Sequence, residues 1–253
     1  MSKRPIGAVT FDLWDCLFRD DTDEPKRAAA GLAPKPMARR ALLHELLCKH
    51  RSIDRALTDL AFDVTDAAFN KVWREHAITW NVAERMRVLL KGLGRELPEA
   101  DFEELVTTLE NMEIVYQPDP VEGAVEALDT LYGTYRLAII SDTVFSPGRN
   151  LRRLLEGAGM ARYFDHFVFS DELGHSKPHQ AVFESVAQAF SIGVGEIVHI
   201  GDRPHNDIGG AHAAGARGLL LRVVKQRDLE GHEPDAICDR YEDLPGVLAS
   251  MEP

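Results

Sequence analysis

Residues 197–215, IVHIGDRPHNDIGGAHAAG, decide the fold. Ile197–Ile200 reads as a short buried strand running into Gly201-Asp202, and helical spacing resumes around Ile208 to Ala214. The same alternation extends on both sides. Upstream, Val121–Tyr132 predicts a helix and Arg136–Ser141 (RLAIIS) a buried strand; Ser146-Pro147 is a candidate cap for the next helix, His166–Ser170 (HFVFS) another strand, and Pro178–Phe190 a helix. Downstream, Gly218–Val223 (GLLLRV) completes the series. Continuous apolar strands separated by helices predict a parallel sheet covered on both faces. Far upstream, Ile6–Phe11 is one more buried strand, ending at Asp12, and it belongs to the same sheet.

Between that first strand and the rest, the period is helical. Leu43, Leu46 and Leu47 form one stripe. Thr65 is a candidate N-cap for a longer helix whose face runs Phe69, Val72, Trp73, His76, Ala77, Trp80 and Ala83 and which stops at Gly92. Pro98 opens another, with Phe102, Leu105, Leu109, Met112 and Val115. Before them lies a charged connector: Asp20, Asp21, Asp23 and Glu24, then Lys26, Arg27, Lys35, Arg39 and Arg40 in a stretch without acids. It reads as solvated loop or, if it folds over the site, as a cationic rim that draws in an anionic substrate. The expected organisation is an α/β core with a Rossmann-like parallel sheet from residues 1–19 and 118–253, interrupted by an α-helical insertion at 20–117.

Composition narrows the function classes. Among 253 residues, 29 Lys and Arg face 41 Asp and Glu, a formal charge of −12 that disfavours nucleic acid and anionic membranes. No run approaches the ~18 apolar residues of a membrane span. Cys16, Cys48 and Cys238 are too scattered for a disulfide framework or structural zinc. The opening MSKRPIGAVTFDLWDCLF is interrupted by Asp12 and Asp15 and has no cleavage site, so a cytoplasmic protein is expected.

In parallel α/β sheets the residues just after the strands line the ligand site. Here they are Asp12 and Asp15, then Ser141, Asp142 and Thr143, then Lys177, then Asp202 with Asn206 and Asp207. Carboxylates, a lysine and a hydroxyl on one face suit Mg²⁺-dependent phosphoryl transfer, and the crowding of acids itself implies a divalent cation. Taken singly, Asp142 and Asp207 also read as helix caps and Lys177 as a loop lysine. His175, His179, His199, His205 and His212 show no metal-ligand spacing and read as surface or core residues.

Four segments, VTFDLWDCLF, AIISDT, SKPHQAVF and IVHIGDRPHNDIGGAHAAG, followed by DAICDRYEDLPGVL, resemble in order the motifs of the haloacid dehalogenase-like (HAD) hydrolase superfamily. The helical insertion is similar to that family's C1-type cap. The resemblance implies that Asp12 is a nucleophile forming an aspartyl-phosphate, that Ser141, Asp142 and Lys177 bind the phosphoryl group, and that Lys177 neutralises charge. It also implies Mg²⁺ held by Asp12, the backbone carbonyl of Trp14, Asp202 and Asp207, with Asn206 competing for the last position. The expected substrate is a small phosphorylated metabolite; the sequence does not set the oligomeric state.

One position departs from the family pattern. Its phosphatases usually carry a second Asp two residues after the nucleophile, where this chain has Trp14. Asp15 is one residue late, and adjacent strand residues point to opposite faces. A missing general acid costs about 10²- to 10⁴-fold in rate. The leading reading is a phosphatase that draws its proton from Asp15 or from a cap residue such as Glu75 or His76. Alternatives are a metal-independent 2-haloacid dehalogenase, whose relatives place an aromatic residue at this position; a phosphonate hydrolase using Lys49, Lys71 or Lys91 as a Schiff base; and a weakly catalytic ligand- or partner-binding member. Trp73 and Trp80 are expected in the cap's own core, Arg74 and His76 near the cleft, and a hinge near Arg19 and Gln117.

Overall fold

Ala8, Val9 and Phe11 are fully buried and place strand β1 (Ala8–Phe11) at the middle of a six-stranded parallel sheet in the computed structural model, which describes residues 4–253. The other strands are β2 (Arg136–Ser141), β3 (His166–Phe169), β4 (Ile197–Gly201), β5 (Arg217–Leu221) and β6 (Ala236–Cys238), in spatial order β3-β2-β1-β4-β5-β6. The sixth strand is not apparent from the sequence, because its apolar run is only three residues long and is flanked by Asp235 and Asp239. Phe11 lies opposite Ile139 of β2 and Ile200 of β4, so β2 runs two residues and β4 one residue past the end of β1, and Asp12 emerges between them. The strand order reverses direction at β1, which makes this the switch point where α/β sheets bind ligands.

Side-chain alternation builds the two faces. Val9, Phe11, Ile139 and Ile200 pack on one side against Leu128, Leu154 and Leu244. Ala8, Ala138 and Ile140 pack on the other against Val182, Phe183 and Val186. Between β1 and β2 the chain forms α1 (Asp23–Ala29), α2 (Lys35–His50), α3 (Arg55–His76), α4 (Val82–Gly92), α5 (Glu99–Glu110) and α6 (Met112–Val115), with a core of their own around Leu43, Leu47, Phe62, Met86 and Leu105. Helix α7 (Ala124–Leu131) leads back to the sheet. The remaining helices are α8 (Gly148–Gly157), α9 (Ser170–Leu173), α10 (Ala181–Phe190), α11 (Gly210–Ala214) and α12 (Leu244–Met251). None of the described helices is long and apolar enough to cross a membrane.

Four sequence expectations are corrected. The charged connector is not a loop, since α1 and the start of α2 occupy it. Thr65 caps nothing; it is inside α3, which begins directly after its N-cap Asp54, whose carboxylate accepts the Ala56 N–H at 2.9 Å. That helix stops where Ala77 turns left-handed (φ 50°), and α4 starts afresh with reciprocal capping bonds between Asn81 and Glu84 at 2.9 and 2.8 Å. The apolar spacing runs through the break, so periodicity alone merges the two helices. Trp73 and Trp80 therefore do not share a helix, although both rings approach Phe69, at 6.4 and 6.5 Å. Ser146 does not cap α8 either. Its hydroxyl donates to Glu113, while the Asp171 carboxylate of α9 accepts the Gly148 N–H at 3.1 Å.

Candidate active site

The β1 tip delivers Asp12, whose backbone N–H extends the ladder to the Ile200 carbonyl at 2.8 Å. Its side chain is almost wholly buried and meets the Lys177 ammonium at 2.6 Å. Lys177 also contacts Asp207 Oδ1 at 2.7 Å and donates to the Ile140 carbonyl at 3.1 Å. One cation thus bridges β1, β2 and the chain after β4. Asp142 Oδ1 fixes the bridge from behind by accepting the Lys177 backbone N–H at 2.9 Å, and Asp142 Oδ2 accepts from Asn206 at 3.3 Å.

Asp207 has no free oxygen. Oδ1 is shared by Lys177 and, at 3.2 Å, His199, while Oδ2 accepts the Arg203 N–H at 2.8 Å. His199 is in turn bonded to Thr10 at 2.8 Å, which identifies it as a satisfied core histidine. Gly201 makes this packing possible, because a Cβ there would lie 2.1 Å from the Asp207 carboxyl carbon. The chain from Pro204 to Gly209 winds as a wide π turn, which returns Asp207 beneath the β4 tip.

Charge and burial set the protonation behaviour. Burial raises Asp12, against the opposing pull of Lys177. Burial works against the Lys177 ammonium, but Asp12, Asp207 and Asp142 hold its pKa above the ordinary lysine value. Asp207 is also desolvated, yet Lys177 and His199 hold it well below the carboxylate range. Asp202 is pushed up to about 6 by burial and by Asp207 and Asp12. More acids than cations therefore converge on this face.

Ligand atoms of Asp12, Cys16 and Asp202 all lie within 4.8 Å of one another. Asp202 Oδ2 accepts from Arg227 at 2.8 Å, but Oδ1 is buried with no partner. The Cys16 thiol is pushed up well above its usual value by burial, so it stays protonated and is a poor donor to a hard cation. Asp12 and Asp202 are then two oxygen donors that fit a divalent ion. Asp207 is not in that cluster.

A cavity of about 520 Å³ opens over Asp12, Asp142, Lys177 and Arg203, a volume suited to a small-molecule ligand. Arg203 escapes the sequence reading although it directly follows Asp202. Trp14 forms part of the wall. Ser141 is buried, its hydroxyl directed at the Asp142 carbonyl at a long 3.5 Å, and it does not line the cavity. Thr143 is bonded to Ser170 at 2.8 Å through its N–H and at 3.0 Å through its hydroxyl, a local brace.

The opposite wall comes from the helical block and its entry: Asp20, Asp21, Glu24, Lys35, Arg39, Trp73 and Glu113. The connector folds over the cavity, but as a rim of mixed sign rather than a cationic one, with Lys35 and Arg39 set among Asp20, Asp21 and Glu24. Lys35 is buried and pairs with Asp23 at 2.8 Å, Glu113 at 3.2 Å and Asp21 at 3.4 Å. Asp15 takes no part. It adopts a left-handed conformation (φ 55°) and its carboxylate pairs with Lys225 at 2.6 Å, off the cavity. Glu75, Arg74 and His76 are exposed and also off it, with Glu75 bound to Lys71 at 2.7 Å. Lys49 pairs with Asp101 and Glu104, and Lys91 lines a separate hollow on the block's outer side.

Residues 6–215 match the model of a hydrolase family, the haloacid dehalogenase-like hydrolases. The chain is 25% identical over 165 residues to the pyrophosphatase PpaX of Bacillus cereus, a match spanning 62% of this chain and 73% of that one. It is 32% identical over 130 residues to the pyrimidine 5'-nucleotidase YjjG of Escherichia coli, covering 51% and 56% respectively. Among solved structures, the 2-haloacid dehalogenase of Pseudomonas syringae superposes with a TM-score of 0.67 at 22% identity, over 97% of this chain and 99% of that one, a likeness of fold.

Proposed function

Because the chain belongs to the haloacid dehalogenase-like hydrolases, we propose that it is a Mg²⁺-dependent phosphatase of a small phosphomonoester, with Asp12 as nucleophile and residues 20–117 as a cap over the site. The observation that carries this reading is Asp202 Oδ1, buried and unpartnered beside Asp12, which a metal-free reaction leaves unexplained. Asp12 and Asp202, with the Trp14 carbonyl, would hold the ion, and Asp207 would reach it only after yielding its contact with Lys177. When bound, the ion supplies positive charge that offsets the phosphoryl oxygens and the crowded carboxylates.

In the proposed reaction Asp12 attacks phosphorus and the bond from phosphorus to the leaving oxygen breaks. Lys177 and Arg203 balance the charge on the phosphoryl oxygens, and Lys177 holds Asp12 in line. Water then attacks phosphorus, the bond to Asp12 breaks, and inorganic phosphate leaves with the carboxylate restored.

The leaving oxygen needs a proton that Trp14 cannot give. We assign its delivery to Asp20, which lines the cavity and whose acid form is favoured by burial and by Asp21, Glu113 and Asp15. Lys35 is the cap's lysine in the cavity, but Glu113 and Asp23 keep it protonated, which opposes a Schiff-base role and hence the phosphonate reading. The likeness to pyrophosphatase and nucleotidase relatives supports a small phosphorylated substrate, and the free cysteines suit a reducing, cytoplasmic setting.

The test is phosphate release from p-nitrophenyl phosphate. Release that requires Mg²⁺ and disappears in Asp12→Asn is expected. Halide release from 2-chloropropionate without metal, and no phosphate release, would replace this reading with the dehalogenase one that Trp14 suggests.

A further inference from the structure

Arg39 lines the cavity shared with Asp12 and Lys177, yet it is unpaired. Its guanidinium lies over the Phe145 ring at 3.5 Å, and Arg85 covers Phe145 too, at 4.2 Å. Arg85 is paired with Asp66 at 2.6 Å and donates to the Val144 carbonyl at 2.8 Å, which leaves only its Nε unmet. Arg39 has no carboxylate within ion-pair distance among the described residues, and its Nε is buried without a hydrogen-bond partner. Trp73, on the same cavity, presents a second buried donor without a partner, Nε1.

Unmet buried donors are costly to keep, and a buried cation without a counter-charge more so. The cavity's acids attract Arg39 from a distance, Glu113 most, but none pairs with it. Glu113 and Asp21 are taken by the Lys35 ammonium, and Glu24 accepts the Lys35 backbone N–H at 2.9 Å. Burial, against the pull of Glu113 and with a smaller push from Arg85, lowers the Arg39 pKa to about 10, which still leaves it charged at neutral pH. Packing against Phe145 holds the planar fork in place, a preparation suited to an oxyanion.

We infer that Arg39 and Trp73 form an anion subsite for the part of the substrate that departs, so that the preferred substrates carry an acidic group, carboxylate or phosphate, beyond the transferred phosphoryl group. This rests on the phosphatase reading for what the substrate is, but the subsite can be measured without turnover.

The experiment is calorimetric binding, with Mg²⁺ present, of phosphonoacetate, methylenediphosphonate and ethylphosphonate to the wild type, Arg39→Met, Arg39→Lys and Trp73→Phe. The wild type is expected to prefer at least one acidic ligand over ethylphosphonate by about 10- to 100-fold, the range of a charge-assisted contact. Arg39→Met should erase that preference while still binding ethylphosphonate, which shows an intact site. Arg39→Lys should retain part of it, and Trp73→Phe should weaken it severalfold. Whichever acidic ligand loses more in Arg39→Met identifies the acid as carboxylate or phosphate. Equal binding of all three ligands by the wild type, no binding of either acidic ligand, or a preference that survives Arg39→Met would overturn the subsite. Absence of phosphate release from p-nitrophenyl phosphate with the preference intact would overturn the phosphatase reading alone.

Discussion

The two walls of the cavity hold their charges in opposite ways. On the sheet side Lys177 is enclosed by Asp12 and Asp207, Asp207 is bonded through both oxygens, and Asp142 is fixed by the Lys177 backbone and Asn206. On the helical side Lys35 is saturated, but Arg39 and Trp73 end in donors that nothing within the described chain accepts. The difference separates two tasks. Adjacent strand tips can preorganise the groups that act on every substrate, whereas groups that recognise one substrate stay unmet until it arrives.

The largest effect expected on this contrast is in stability. Lys177→Met removes the cation between two buried carboxylates and should cost about 3–5 kcal/mol in urea unfolding of the metal-free protein. Arg39→Met, which breaks no ion pair, should stay within about 1 kcal/mol of the wild type. Comparable losses for the two would erase the distinction between the walls.

Next is the proposed proton donor. Asp20→Asn should lower phosphate release from a substrate with a poor leaving group by about 10²-fold, and much less for p-nitrophenyl phosphate, whose leaving group needs no proton. The protonated form acts, and burial raises the Asp20 pKa, so the wild-type rate should fall as pH rises through that raised value. The variant should lose this limb. A profile unchanged by the substitution would remove Asp20 from the reaction.

The smallest effect concerns the placement of the helical wall. Asn81→Ala breaks the cap that starts α4 and should cost about 1 kcal/mol, seen as a shifted urea midpoint with little change in activity. A loss several times larger would mean that the α3–α4 break, rather than the block's own core, positions Trp73.

Legibility in the sequence follows the same division. The strands, their tips and the grouping of Asp12, Asp142 and Lys177 are local consequences of apolar runs and the residue after each, so five of the six strands are visible, although their order in the sheet is not. The helical wall is not, because Lys35, Arg39, Trp73 and Glu113 meet only through packing of α2, α3 and α6. A charge block resembles a solvated loop until its partners are known, and Lys35 is buried among acids from two distant segments. Asp15 was also beyond a strand-parity argument: left-handed backbone, which Asp tolerates better than most residues, turns it toward Lys225. Arg203 adjoins the metal-site candidate Asp202 and lines the cavity, but an arginine in a loop carries no sequence signal of its own.

The nucleophilic role of Asp12 is open to direct measurement. Rapid acid quench of the wild type during Mg²⁺-supported turnover, followed by mass spectrometry of the peptide containing Asp12, should show the mass of one phosphoryl group added at that carboxylate, absent when metal is chelated and absent in Asp12→Asn. Steady phosphate release with an unmodified Asp12 peptide, or release that continues in Asp12→Asn, would contradict it.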